Sequence, residues 1–140
     1  MTGECLRRNL PVDITTPTAV RRLLGPWLRG IGCIDEQVDD LTLVVDEAVA
    51  NATEHAFPDG ADGESITVDA AVVERDAVPH IVLTITDRGR WRPPPPDNGF
   101  RGRGLQLMRA LTDSVEFDDL AHGTRVRLTS RLRGAAAGSC

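Results

Sequence analysis

A chain of 140 residues is the size of one domain with one core. Its composition, 41% hydrophobic and 26% charged, is that of an ordinary globular protein, and aromatics are so sparse (4%) that aliphatic side chains must fill the interior. A net charge of -5 removes the electrostatic case for nucleic-acid phosphates or anionic lipid, and no apolar run approaches membrane-span length, so neither nucleic acid nor membrane is expected as a partner.

Met1 to Leu10 holds Glu4, Arg7 and Arg8 with no long apolar run, so no secretory signal is expected. Cys5 to Val12 reads as a short strand. Thr16-Pro17 reads as a helix start, with Thr16 as N-cap and Pro17 at the first helical position. Val20, Leu23, Leu24, Trp27 and Leu28 recur at helical spacing. Gly25-Pro26 predicts a kink or break, because the proline lacks an N–H and crowds the Arg22 carbonyl. Gly30 and Gly32 close the segment. Cys5, Cys33 and Cys140 are too scattered for a metal site or a disulfide scaffold, which points to free thiols in a reducing compartment, the cytoplasm.

Asp35 to Phe57 is the strongest helix, with Val38, Leu41, Val45, Ala48 and Ala52 on one apolar face. The loop Pro58 to Gly63 follows. Ile66 to Val73 and His80 to Thr86 read as strands with a turn between them. Trp91 to Arg103 is a loop, held extended by Pro93 to Pro96. Gly104 to Thr112 reads as a short helix. Asp113 to Phe117 and Thr124 to Ser130 read as two more strands, joined near His122-Gly123. Short connections between strands predict an α+β fold: a two-layer α/β sandwich with a mixed, mostly antiparallel sheet and helices on one face. The domain is expected over residues 1–133, with 134–140 a flexible tail or linker.

Chemistry concentrates at three places. On the long helix, Asn51 sits about 40° round from Glu47, on a stripe away from the apolar face. A plain solvated stripe fits that placement. Asn, however, is a poor mid-helix residue, and the flanking Ala48, Ala50 and Ala52 leave room for another group. An amide oxygen suits Mg²⁺ alongside phosphate oxygens, and a carboxylate one turn away can take a hydroxyl proton. His55, one turn further, either lines the same site or simply ends the helix. Asp87 and Gly89 follow a strand directly. That carboxylate is either a turn former or an acceptor for the adenine amine, with Gly89 admitting the base. Gly99 to Gly104 leads into a helix whose first N–H groups form a phosphate cradle; a flexible lead-in gives the same pattern. It is neither a Walker A loop nor a dinucleotide fingerprint.

Glu47-Ala-Val-Ala-Asn51 resembles the N box of the superfamily that holds gyrase, heat-shock chaperone, histidine-kinase and mismatch-repair ATPases. Asp87-Arg-Gly89 resembles its first glycine box, Gly102-Arg-Gly104-Leu-Gln-Leu-Met108 the second, and Gly123-Thr124-Arg-Val126 the closing Gly-Thr strand. Within it, Asp46-Glu47-Ala-Val-Ala-Asn51-Ala-Thr-Glu-His55-Ala and Gly104 to Asp113 resemble the bacterial anti-sigma-factor serine kinases. The resemblance implies the Bergerat-type ATP-binding fold and, with it, ATP and Mg²⁺. It implies phosphorylation of a serine on an anti-sigma antagonist, sequestration of a sigma factor, and a homodimer. By matching position, Glu47 is the base and Asn51 the Mg²⁺ ligand. Asp87 binds adenine with Thr124 nearby. His55, Gly89, Arg101, Gly102, Arg103, Gly104 and Leu105 complete the nucleotide contacts. One position departs: the first glycine box ordinarily reads Asp-x-Gly-x-Gly, and its last residue here is Trp91. The alternative is therefore a non-catalytic module that docks a sigma factor or antagonist with weak or structural nucleotide binding. Trp91 favours the module; the Glu47–Asn51 pair favours the kinase.

Overall fold

The computed structural model describes residues 5–55, 64–88, 106–120 and 123–134, with the side chains at 51, 53–55, 119 and 120 outside that description. The order of elements is β1 (Cys5–Pro11), α1 (Thr16–Gly30), α2 (Asp35–His55), β2 (Ser65–Arg75), β3 (Val78–Asp87), β4 (Ser114–Leu120) and β5 (Gly123–Arg131). Residues 106–111 are helical as well. The proline-rich stretch 91–103, the loop 58–63 and the tail 135–140 lie outside the described residues.

The strands form one sheet in the order β1-β2-β3-β5-β4. Every described pairing is antiparallel, so the mostly antiparallel expectation holds and no parallel pair appears among the described strands. The β2–β3 hairpin turns on Asp76 and Ala77, at φ 54° and 65°. Two successive positive φ values give the twist that a tight hairpin needs.

Alternation along the strands decides the layers. Ile66, Val68 and Ala70 of β2, Ile81, Leu83 and Ile85 of β3, and Val126 and Leu128 of β5 are buried on one face. Against it pack Val20, Leu24 and Leu28 of α1 and Val38, Leu41, Val44, Val45, Ala48 and Val49 of α2. The buried stripe of α2 is wider than its sequence face suggests, because α2 meets α1 on one side and β3 on the other. Met108, fully buried, fixes the 106–111 helix into the same core.

Two details of α1 depart from the sequence expectation. Of the expected kink or break, the break does not occur: the helix continues through Pro26. Pro26 itself is exposed, while Leu24 and Leu28 on either side of it are anchored in the core, so the lost backbone bond is outweighed by burial. The cap is Thr15, not Thr16. Thr16 is buried and its hydroxyl donates to the Pro11 carbonyl (2.7 Å) and accepts from the Asp13 N–H (2.8 Å). Asp13 holds the turn: its carboxylate accepts from the side chain and the N–H of Thr15, which keep its pKa below the usual carboxylate value. At the other end, Gly32 takes φ 101°, and the N–H groups of Gly32 and Cys33 bond the carbonyls of Arg29 and Leu28. This is the Schellman pattern, which only a residue at ease with positive φ closes cheaply.

Candidate functional site

Asp87 ends β3 and Thr124 is the second residue of β5, and the antiparallel register sets them directly opposite one another. Both are almost wholly buried, at 5% and 6% exposure. The Thr124 hydroxyl is buried and meets no hydrogen-bond partner among the described residues. A buried hydroxyl left unpaired costs about 1–3 kcal/mol, so the Thr124 hydroxyl is free to take a ligand contact as far as the described residues go, as is that of Thr129 on the same strand. Gly123 makes the close approach possible. It sits at φ 143°, and a Cβ built on it falls 1.8 Å from the Asp87 carbonyl oxygen. No side chain larger than hydrogen fits without moving β5 or the end of β3.

The long helix reaches toward this corner from the opposite end of the sheet. Gln37, in its first turns, is fully buried. Its amide donates to the Arg131 carbonyl (2.6 Å) and, at a longer 3.4 Å, to the Ser130 hydroxyl; its carbonyl accepts from the Arg133 N–H (2.6 Å). Since Arg131 pairs with His80, α2 sets out from the His80 end of β3. The climb from Gln37 to Asn51 is about 21 Å at helical rise, and that from His80 to Asp87 about 23 Å at strand rise. The helix is therefore long enough to span the distance from the His80 end of β3 to the level of Asp87.

Glu47 is half-buried on α2. Its neighbour Asp46 is turned to α1, where one carboxylate oxygen lies 3.3 Å from Arg21 and the other is buried without a partner among the described residues. Adjacent carboxylates are therefore separated by the helix, with Asp46 tied to α1 and Glu47 displaced about 100° from it. Asn51 and His55 are in the last turns of α2; their side chains lie outside the description, as do all of Gly89, Arg101, Gly102, Arg103, Gly104 and Leu105. The structure thus brings Asp87 and Thr124 together and is silent on the phosphate-loop residues. Gly123 escaped the sequence-based set of site residues because its importance is a backbone contact; the dipeptide Gly123-Thr124 opening a strand was the available signal.

The described residues fit a nucleotide base in one respect: a buried carboxylate, Asp87, and a buried hydroxyl, Thr124, share one end of the core. Among the described residues no cluster of three or more His, Cys, Asp or Glu could hold a metal. A Mg²⁺ carried largely by phosphate oxygens and water requires no such cluster. No described helix is long and apolar enough to cross a membrane. Cys5 is exposed and Cys33 buried, both free, and burial pushes the Cys33 thiol up to about 11.

Residues 10–130 match the family described as the histidine kinase-like ATPase domain. The serine-protein kinase RsbW of Oceanobacillus iheyensis is 32% identical over 131 residues, a match that covers 83% of this chain and 80% of that one. The anti-sigma F factor of Bacillus subtilis is 32% identical over 118 residues, covering 76% of this chain and 80% of its own. Among solved structures, the RsbU and RsbW domains of a Mycobacterium tuberculosis protein superpose with a TM-score of 0.70 at 26% identity; the match takes in 91% of this chain and 32% of that one, so this chain spans about a third of its length. The SiaB–SiaC complex of Pseudomonas aeruginosa gives a TM-score of 0.60 at 14% identity over 91% of this chain and 89% of that one, a likeness of fold alone. With its antiparallel sheet, its one-sided helices and relatives of this identity and coverage, the chain belongs to the histidine kinase-like ATPase domain family and, within it, to the anti-sigma-factor serine kinases.

Proposed function

We propose that this chain, through a domain of residues 1–133, is an ATP-dependent protein serine kinase acting in the cytoplasm. It phosphorylates a serine on an anti-sigma antagonist, and as a homodimer sequesters a sigma factor when the antagonist is not bound. The observation that carries the reading is the buried Asp87–Thr124 pair with its unpartnered hydroxyl, at the end of the core toward which α2 runs. The names of the relatives, a serine-protein kinase and anti-sigma F factors, support it.

In this reading the Asp87 carboxylate accepts the exocyclic amine of adenine, and the Thr124 hydroxyl supplies the second polar contact to the base. Asn51 offers its amide oxygen to Mg²⁺, which when bound neutralises charge on the phosphates. His55, Gly89 and residues 101–105 complete the pocket, the latter through backbone N–H groups at a helix start. Glu47 orients the serine hydroxyl and receives its proton as the serine oxygen bonds the γ-phosphorus. The bond from that phosphorus to the bridging oxygen breaks, and ADP departs with the electron pair. Such transfer rests mostly on positioning and charge stabilisation. The second reading, a docking module with weak nucleotide binding, is favoured by Trp91 alone.

Glu47→Gln separates the two. A positioned general base contributes about 10²–10⁴-fold in rate, so the variant is expected to keep ATP affinity within a few-fold and to lose serine phosphorylation by roughly that factor. The measurement is radiolabel transfer from ATP to the antagonist, alongside a pull-down with the sigma factor. Wild-type protein that docks both partners yet transfers no phosphate sinks the kinase reading. Transfer by Glu47→Gln at the wild-type rate leaves the kinase standing and removes Glu47 as its base.

A further inference from the structure

The sheet face turned away from the helices takes no part in the nucleotide reading. Strand register sets its side chains in rows. One row runs Arg7, Asp69, Thr84, Arg127, Glu116; the next runs Asn9, Thr67, Thr86, Arg125, Asp118. Together with Ser65 and Arg88 these strands line a concave basin of about 450 Å³, into which Arg7, Arg88, Arg125 and Arg127 project against the single carboxylate of Asp69.

The counter-charges on this face are incomplete. Arg7 lies 3.4 Å from Asp69 and Arg125 3.7 Å from Asp118. Arg88 and Arg127 form an ion pair with no described residue, and Arg127 is half-buried. Glu116 is the cross-strand neighbour of Arg127, but it makes no ion pair with it, so this half-buried arginine keeps its charge uncompensated by any described ion pair in a chain whose net charge is -5. The basin is a basic island on an acidic molecule.

We propose that this face docks a short acidic segment of a partner protein, with its carboxylates forked onto Arg127 and Arg88 and its backbone over the threonine hydroxyls between them. Arg127 and Arg88 are four residue levels apart along the strands, about 14 Å, the span of a few extended residues. Guanidinium favours carboxylate through two parallel hydrogen bonds, which suits arginine rather than lysine at such a contact. A nucleic acid fits worse: it carries a charge about every 1.7 Å and would run off the island onto negative surface. A second copy of the chain fits worse too, since a matching basin offers four arginines against the one carboxylate of Asp69, so most of the arginines would meet no counter-charge across a two-fold contact.

The test uses the full chain and a fluorescent Glu-Ser repeat peptide of about ten residues, with a Lys-Ser repeat as control, read by anisotropy at low and high salt. The Glu-Ser peptide is expected to bind at low salt and the Lys-Ser peptide not to. Arg127→Gln and Arg88→Gln are each expected to weaken binding about tenfold, the scale of one charge-assisted contact. Asp69→Asn, which removes the competing carboxylate, is expected to tighten it. This opposite sign keeps the result from being a folding artefact. The proposal is overturned by equal binding of both peptides, by affinity indifferent to Arg127→Gln, or by tighter binding of a single-stranded oligonucleotide through the same arginines. Self-association in sedimentation that Arg127→Gln abolishes also overturns it, because a second copy then covers the face. Mg-ATP affinity of Arg127→Gln, measured separately, is expected to match wild type, so failure here and failure of the kinase reading are distinct results.

Discussion

At the scale of single residues, the corner formed by Asp87, Gly123 and Thr124 holds a conflict between stability and use. The Thr124 hydroxyl contributes nothing to the fold that the described residues record, and its burial is a cost. Thr124→Val keeps the shape and removes the unpaired oxygen. It is therefore expected to unfold at equal or higher denaturant, by up to about 1 kcal/mol, and to bind ATP more weakly. Gly123→Ala acts in the other direction on stability. Its Cβ would stand 1.8 Å from a backbone oxygen, which no rotamer relieves, and φ 143° is strained for any L side chain. A loss of roughly 1–3 kcal/mol is expected, together with displaced Asp87 and weakened ATP binding. Urea melts and calorimetry on the pair decide the matter. If Thr124→Val proves clearly destabilising, the hydroxyl has a structural partner beyond the described residues and the corner is not a binding site waiting for a ligand.

At the scale of elements, α2 joins the two ends of the domain, and Gln37 is its fastening. The side chain is wholly buried, and its amide bonds the last residues of β5 and the chain beyond. The Ile34 N–H adds a bond to the Arg133 carbonyl (2.9 Å), and Arg133 reaches Asp40 at 3.1 Å. Gln37→Leu removes the partner of the Arg133 N–H and of the Arg131 carbonyl, two part-buried groups. We expect a destabilisation of roughly 2–4 kcal/mol, with faster amide exchange first at Ile34 and Arg133; unchanged exchange at those two amides would show that the strand end is held by other contacts. The apolar face of α2, all five strands and the segment holding the β2–β3 turn were legible from periodicity. What escaped was decided by neighbours, not by pattern. Val44 and Val49 are buried because α1 and the sheet flank α2 on two sides. Gln37 reads as surface until a strand end needs its amide, and Asp76-Ala77 lacks the Asn-Gly or Asp-Gly that marks a tight hairpin. Pro26 promised a kink or a break, and with Leu24 and Leu28 packed in the core the helix continues through it without breaking. The proposal of Glu47, Asn51 and Asp87 as site residues rests on residue type and order in the sequence. The Asp87–Thr124 contact needed the register.

At the scale of the whole molecule, β3 is the central strand and β5 its interior neighbour, and they contribute Ile81, Leu83, Ile85, Val126 and Leu128 to the core, while β3 ends at Asp87 opposite Thr124 near the start of β5. A ligand held between those two residues is thus attached to the last structure to unfold, and its binding energy should appear as global stability. At a hundredfold excess over Kd, binding to the folded state alone adds about 2.7 kcal/mol. For a domain of this length that raises the unfolding midpoint by roughly 8–10 °C. The expected outcome of a thermal scan with Mg-ATP is a rise of this size that grows with the logarithm of nucleotide concentration. Inosine triphosphate, which carries a carbonyl where adenine carries its amine, is expected to give a smaller rise, because the Asp87 carboxylate then faces another acceptor. Asp87→Asn should shrink the ATP rise and enlarge the inosine rise, since an amide can donate to that carbonyl where the carboxylate cannot. Equal rises for both nucleotides in the wild-type protein would remove Asp87 from base recognition. A rise with neither, at concentrations that saturate related kinases, would leave the buried pair as a fold element and turn the choice toward the docking module.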